Sequence, residues 1–184
     1  MFSYIRPYIF AADPEKAHNL AIKSLKYNFL PESFFTVENE EILSTSLFGK
    51  SIKNPIGLAA GFDKSAEVYN QILKLGFGFV EVGTVTPRKQ FGNEKPRIFR
   101  LEEDKAMINR LGFNNDGSNI IKKRIENNIP DGLLGINIGP NKDTKNMTDD
   151  FISCAETFFP LGDYITINIS SPNTEGLRDF HKSE

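Results

Sequence analysis

Four runs of apolar residues, each closed by a polar or glycine-rich stretch, constrain this 184-residue chain more than any other feature. They are Pro55–Gly61, Phe77–Val85, Leu133–Ile138 and Tyr164–Ile169. Near-continuous apolar strands are buried on both faces, which is the habit of parallel sheets. Between them lie stretches with helical periodicity. Ser65–Leu75 carries Val68, Ile72 and Leu75 on one face and ends at Gly76, and a second helix is expected over Asp116–Asn127. A third is expected over Asp149–Phe159. Strand and helix in alternation predict an α/β fold with a parallel sheet. The polar residues gather at the carboxyl ends of the strands, where α/β barrels keep their chemistry; a doubly wound open sheet obeys the same rule.

A TIM (β/α)8 barrel needs eight units and about 250 residues. About four strand–helix units are expected here, the fourth lacking its helix, so the sequence reads as the first part of a barrel. Before it, residues 1–40 read as a helical hairpin and residues 41–184 as barrel. Tyr4, Ile5, Tyr8, Ile9 and Phe10 cluster at helical spacing. Asp13-Pro14 supplies an N-cap and a first-turn proline for a second helix ending near Asn28. The hairpin either packs on its own domain or offers an apolar face to a membrane interface or channel. After a polar linker, a small β-hairpin is expected around Gly49-Lys50, and the stretch between Val85 and Asp116 reads as a long loop.

The formal net charge of −2 gives no broad basic field, so nucleic acid is not an expected partner. One cysteine, Cys154, excludes an internal disulfide and a CxxC metal site, and no metal is expected. No stretch reaches the roughly 20 apolar residues that span a bilayer, and the N-terminus lacks the marks of a signal or transit peptide.

Several loops carry candidate chemistry. Ala59-Ala-Gly-Phe-Asp-Lys64 offers small residues for close approach of a flat ring or phosphate, and a cation at its end. The same string also suits an ordinary turn in which Asp63 or Ser65 caps the next helix. Gly76–Gly83 is no dinucleotide fingerprint, because its glycines precede and line a strand instead of opening a helix. Gly83-Thr84 places a hydroxyl and an N–H at a strand end. Asn109–Asn115 is amide-rich, which suits imide or carboxylate recognition. Asn137 and Asn168 sit in equivalent positions inside apolar strands, where an unpaired amide is costly. Asn168–Arg178 packs two amides, three hydroxyls and an arginine around Pro172. A Ser–His dyad with His181 is disfavoured, and His181 reads as an exposed loop residue.

Taken in order, these strings resemble the dihydroorotate dehydrogenases, specifically the membrane-associated, quinone-dependent class. The matches are Asn54–Lys64, Gly83–Pro87, Gly92–Arg97, Asn109–Asn114, Gly135–Gly139 and Asn168–Arg178. The resemblance implies an FMN enzyme of pyrimidine biosynthesis that oxidises dihydroorotate to orotate and reduces ubiquinone or menaquinone. It implies Ser171 as the catalytic base and Thr174 as part of its proton relay. It implies flavin contacts at Ala60, Gly61, Phe62, Asp63, Lys64, Thr84, Asn137 and Asn168. Substrate contacts would be Lys64, Asn109, Arg110, Leu111, Gly112, Phe113, Asn168 and Asn173. His18 and Arg100 would border a quinone tunnel, with the hairpin as a funnel on the bilayer. The expected setting is peripheral, on the cytoplasmic face of a bacterial inner membrane. Pro140 stands where the family usually has lysine, and Phe180-His181 where it has Leu-Gln. The flavin phosphate site belongs to the later barrel loops, so a catalytically silent half-barrel is the alternative expectation.

Overall fold

The computed structural model describes residues 2–31, 33, 35 and 41–182. The expected linker and domain boundary at 36–40, and the terminal Ser183-Glu184, lie outside the described residues.

The two N-terminal helices form as expected. Helix α1 covers Phe2–Ala11 and α2 covers Pro14–Lys26. Asp13 Oδ1 accepts the Lys16 N–H at 2.9 Å, Pro14 opens the first turn, and Lys23 and Lys26 lie in the last. Each of these satisfies or complements a helix end.

The central sheet has the order β3 (Gly57–Leu58), β4 (Phe79–Val85), β7 (Leu133–Ile138), β8 (Tyr164–Ile167), and every neighbouring pair is parallel. Strands β4 and β7 run close to the expected bounds. Their outward residues Val80, Val82, Leu134, Ile136 and Ile138 pack with Ile121, Ile125, Phe151, Cys154 and Phe158 from the helices α4 (Ser118–Asn127) and α5 (Met147–Phe158) in one buried core. The register shifts between Val82 and Val85. Strict alternation would turn Thr84 towards the helices. With the shift, Gly83 and Thr84 both line the opposite face, and Val85 returns to the core.

Five expectations need correction. The strand expected over Tyr164–Ile169 ends at Ile167, which leaves Asn168 in the following loop. The strand expected over Pro55–Gly61 is only the half-buried pair Gly57–Leu58 at one edge. The helix expected over Ser65–Leu75 is reduced to α3 (Tyr69–Lys74). Asp63 accounts for this, because its carboxylate accepts the N–H groups of Glu67 at 2.8 Å and Val68 at 2.7 Å, and Ala66 sits at φ +52. Those interactions hold residues 64–68 in turns. The small hairpin β1 (Thr45–Leu47) with β2 (Lys50–Ile52) turns on Phe48-Gly49, one residue earlier than expected. Both turn residues have positive φ, which the twist of a two-residue hairpin favours. Finally, the long loop after β4 contains an antiparallel ribbon, β5 (Ile98–Leu101) with β6 (Ala106–Asn109).

That ribbon carries the N-terminal hairpin. Arg100 donates from Nη1 to the carbonyls of Phe10 at 2.9 Å and Ala12 at 2.8 Å, and its guanidinium lies 4.7 Å from the Phe10 ring centre. Arg97 grips Glu15 with two bonds, Nε to Oε2 at 3.0 Å and Nη2 to Oε1 at 2.6 Å. Its remaining nitrogen, Nη1, donates to the carbonyls of Phe91 and Asn93.

Candidate active site

The inward face of the sheet and the loops beyond its carboxyl ends enclose a cavity of about 400 Å3. One wall is Ala59, Ala60 and Gly61, small enough for a flat group to lie against the backbone. Gly61 has φ +105, and a Cβ there would meet nothing within 4 Å. The opposite wall is the amide-rich loop, contributing Asn109, Leu111, Gly112, Phe113 and Asn114. Ser171 and Asn173 close the mouth.

The floor is one hydrogen-bonded chain. Thr84 Oγ1 donates to Asn137 Oδ1 at 2.6 Å, and Asn168 Nδ2 donates to Thr84 Oγ1 at 3.0 Å and Asn137 Oδ1 at 3.3 Å. Asn137 Nδ2 in turn donates to Glu81 Oε1 at 2.8 Å. The two amides therefore face one cavity, but not from equivalent strand positions: Asn137 is in register with Thr166, and Asn168 lies just past the end of β8.

Lys64 stands at the cavity's edge, donating to the Gly61 carbonyl at 2.6 Å, with its Nζ 3.3 Å from His18 Nε2. Burial lowers the Lys64 pKa from its ordinary value. The His18 pKa is lowered to about 4, mostly by burial and then by the Lys64 charge. Lys64 also lines a second cavity of about 310 Å3, bordered by Glu15, His18, Ile22, Phe62 and Arg97. Lys64, Leu111 and Asn114 thus border both chambers.

The structure divides the expected site residues. Ala60, Gly61, Lys64, Thr84, Asn137 and Asn168 line the amide cavity, but Phe62 and Asp63 face the second one. Asp63 is buried as a backbone cap, and burial raises its pKa. In the 109–113 loop Arg110 turns away, donating to the Pro96 carbonyl. Ser171 lines the cavity, and its Oγ accepts the Asn173 N–H at 3.2 Å. Thr174 is buried, does not line the cavity and makes no hydrogen bond to Ser171. His18 and Arg100 do not share a chamber, because Arg100 borders a separate cavity with Arg6 and Phe10. His181 is exposed, as expected, but ends a short 3-10 helix (Leu177–His181) instead of lying in a loop, and its ring is bonded to the Ile169 carbonyl; Cys154 is fully buried.

Sequence reasoning missed Glu81. A single carboxylate inside an apolar strand was the available signal, since such a group is seldom buried without partners. Asn114 lay within the amide-rich loop but was given no role of its own; it borders both chambers, and its Oδ1 is buried without a protein partner among the described residues.

Parallel strands whose carboxyl ends open on one amide-lined cavity define a chain of the α/β-barrel class with a small-molecule site. Residues 42–184 match the family model for dihydroorotate dehydrogenase, and the chain belongs to that family. A curated relative from Idiomarina loihiensis, dihydroorotate dehydrogenase (quinone), is 49% identical over 98% of this chain and 55% of its own. The relative of the same name from Bartonella henselae is 53% identical over 95% of this chain and 48% of its own. The crystal structure of DHODH in complex with ferulenol from Eimeria tenella superposes with a TM-score of 0.85 at 44% identity, covering 92% of this chain and 47% of that one. The chain spans about half the length of the curated relatives it matches. Membership of the family implies a flavin cofactor in general terms.

Proposed function

We propose that this chain supplies the substrate pocket and much of the flavin pocket of a quinone-linked dihydroorotate dehydrogenase that uses FMN. The observation that carries the reading is the convergence of Lys64, Asn109, Asn137, Asn168, Ser171 and Asn173 on one cavity. These residues fit a flavin ring and an orotate-like ligand. Ala59–Gly61 leave a flat space, Asn114 offers an unpartnered acceptor, and the amides match the alternating donors and acceptors of an imide edge.

When bound, the flavin supplies the hydride acceptor. Lys64 holds the substrate carboxylate, and the amides of Asn109, Asn168 and Asn173 hold its ring. Ser171 Oγ takes the proton from the ring carbon next to the one that loses hydride. The N–H of Asn173 stabilises charge that develops on that oxygen. A serine is a weak base at its free pKa, so its proton must be passed on. Thr174, three residues along the same loop, is the proposed relay.

The second chamber and the hairpin of residues 1–40 are proposed to serve the quinone, with His18 on the chamber wall and Arg100 bracing the hairpin at the ribbon. Tyr4 and Tyr8 on α1 and Met107 and Ile108 on the ribbon are exposed apolar or amphipathic side chains that suit contact with a membrane surface. Among the described residues no helix is long and apolar enough to cross a membrane, so the proposed attachment is peripheral. The cytoplasmic face of a bacterial inner membrane is its proposed place. In the full-length flavoprotein, Ser171→Ala is expected to abolish most dihydroorotate oxidation while leaving the flavin bound. Full turnover in that variant would remove Ser171 from the role of base.

A further inference from the structure

Glu81 lies on the cavity floor in the middle of β4, and three donors converge on its carboxylate. Asn137 Nδ2 donates to Oε1 at 2.8 Å, while Tyr164 Oη and Thr166 Oγ1 donate to Oε2 at 3.0 and 2.9 Å. The last two come from β8, two strands away. Tyr164 reaches across because Gly135 of β7 lies between them in register, and a Cβ on Gly135 would collide with the Tyr164 ring. The local sequence is therefore built to deliver three protons to one carboxylate.

We propose that Glu81 is a positioning residue that sets the direction of every hydrogen bond on the cavity floor. A carboxylate only accepts, whereas an amide can face either way. Because Glu81 takes an N–H of Asn137, the Asn137 oxygen must point at Thr84 and Asn168. The Thr84 hydroxyl then spends its proton on Asn137 and accepts from Asn168. That leaves the Asn168 oxygen to accept the N–H and the hydroxyl of Ser170, next to Ser171. Polarity thus runs one way, from Ser170 through Asn168, Thr84 and Asn137 to Glu81. The second Nδ2 proton of Asn137 remains for a ligand acceptor, since Glu81 is its only acceptor among the described residues. Without an obligatory acceptor at position 81, Asn137 is free to flip and the pattern offered to a ligand divides between two arrangements.

The inference rests on the flavin and orotate reading above, and three variants of the full-length flavoprotein test it. Glu81→Leu keeps the bulk and removes the acceptors, Glu81→Gln leaves one acceptor beside a donor, and Glu81→Asp retains acceptors alone. Orotate affinity is read from the shift that the product causes in the flavin absorbance, beside kcat, KM and melting temperature. Affinity is expected to fall in the order Asp, Gln, Leu. The leucine variant should be weaker by about tenfold or more, the scale of one mis-set hydrogen bond. The loss should appear in KM as well as in orotate affinity, with Glu81→Asp holding both nearest the wild type. If Glu81→Leu yields no folded flavoprotein, Gln against Asp carries the same order. Affinity unchanged in Gln, or Asp as weak as Gln, overturns the proposal, because a space-filling role favours the isosteric Gln. A wild-type protein without any orotate-dependent shift refutes the functional reading instead.

Discussion

Replacing Glu15 with alanine should loosen the N-terminal hairpin without touching the sheet. The Arg97 side chain is 5% exposed and that of Glu15 13%, and they meet through two bonds. Losing one member of a buried pair costs about 3–5 kcal/mol, because the other charge stays buried. Arg97 keeps the Phe91 and Asn93 carbonyls and lies on a cavity that admits water, so the lower end, about 3 kcal/mol, applies. That corresponds to roughly a hundredfold in the opening equilibrium. The assay is hydrogen exchange of the backbone amides. Protection in α2 is expected to fall about a hundredfold, with β4 and β7 unchanged. The effect also has a pH signature. Hydrogen bonding from Arg97 is the chief cause holding the Glu15 pKa below its ordinary 4.5. A depressed carboxyl contributes stability that is present above the ordinary value and is lost as pH falls through the folded one. Protection of α2 should therefore decline below about pH 4.5 in the wild type and less so in Glu15→Ala. Equal α2 protection in the two proteins at pH 7, or a loss spread evenly over the sheet, would refute the reasoning.

Three further outcomes are expected. Titrated by NMR, the His18 ring should protonate near pH 4, so that the fold loses stability as pH falls from about 6.5; a midpoint of 6 or above would contradict its burial beside Lys64. The Cys154 thiol, pushed up to about 12 by burial, should resist disulfide reagents at pH 8 in the native protein and react only on unfolding. Gly83→Ala should destabilise by about 3 kcal/mol or more in denaturant melts. The residue has φ +112, and an added Cβ would run into the Asn137 carbonyl.

The central strands were legible because burial on both faces writes itself as unbroken apolar residues. Leu133–Ile138 is buried throughout and matches the expected bounds residue for residue. Helix α3 was misjudged where a side chain outcompeted periodicity. Asp63 captures two backbone amides that a regular helix would have used internally. The ribbon β5–β6 escaped notice because every residue of β6 is exposed, leaving no alternation of burial to read. At the site, the amides showed themselves as polar residues ending apolar runs. Glu81 did not, because its meaning lies in partners on β7 and β8, and cross-strand neighbours cannot be read along one strand.

Those partners also make Glu81 a gauge of strand alignment. A one-residue slip of β4 would turn its carboxylate into the packed layer with Val80, Val82, Ile121 and Ile125, and would strip it of all three donors at once. A sheet of interchangeable valines and isoleucines has little of its own to tell one alignment from the next. A single charge that finds its partners in one alignment alone penalises the misfolded ones and so selects the right one during folding.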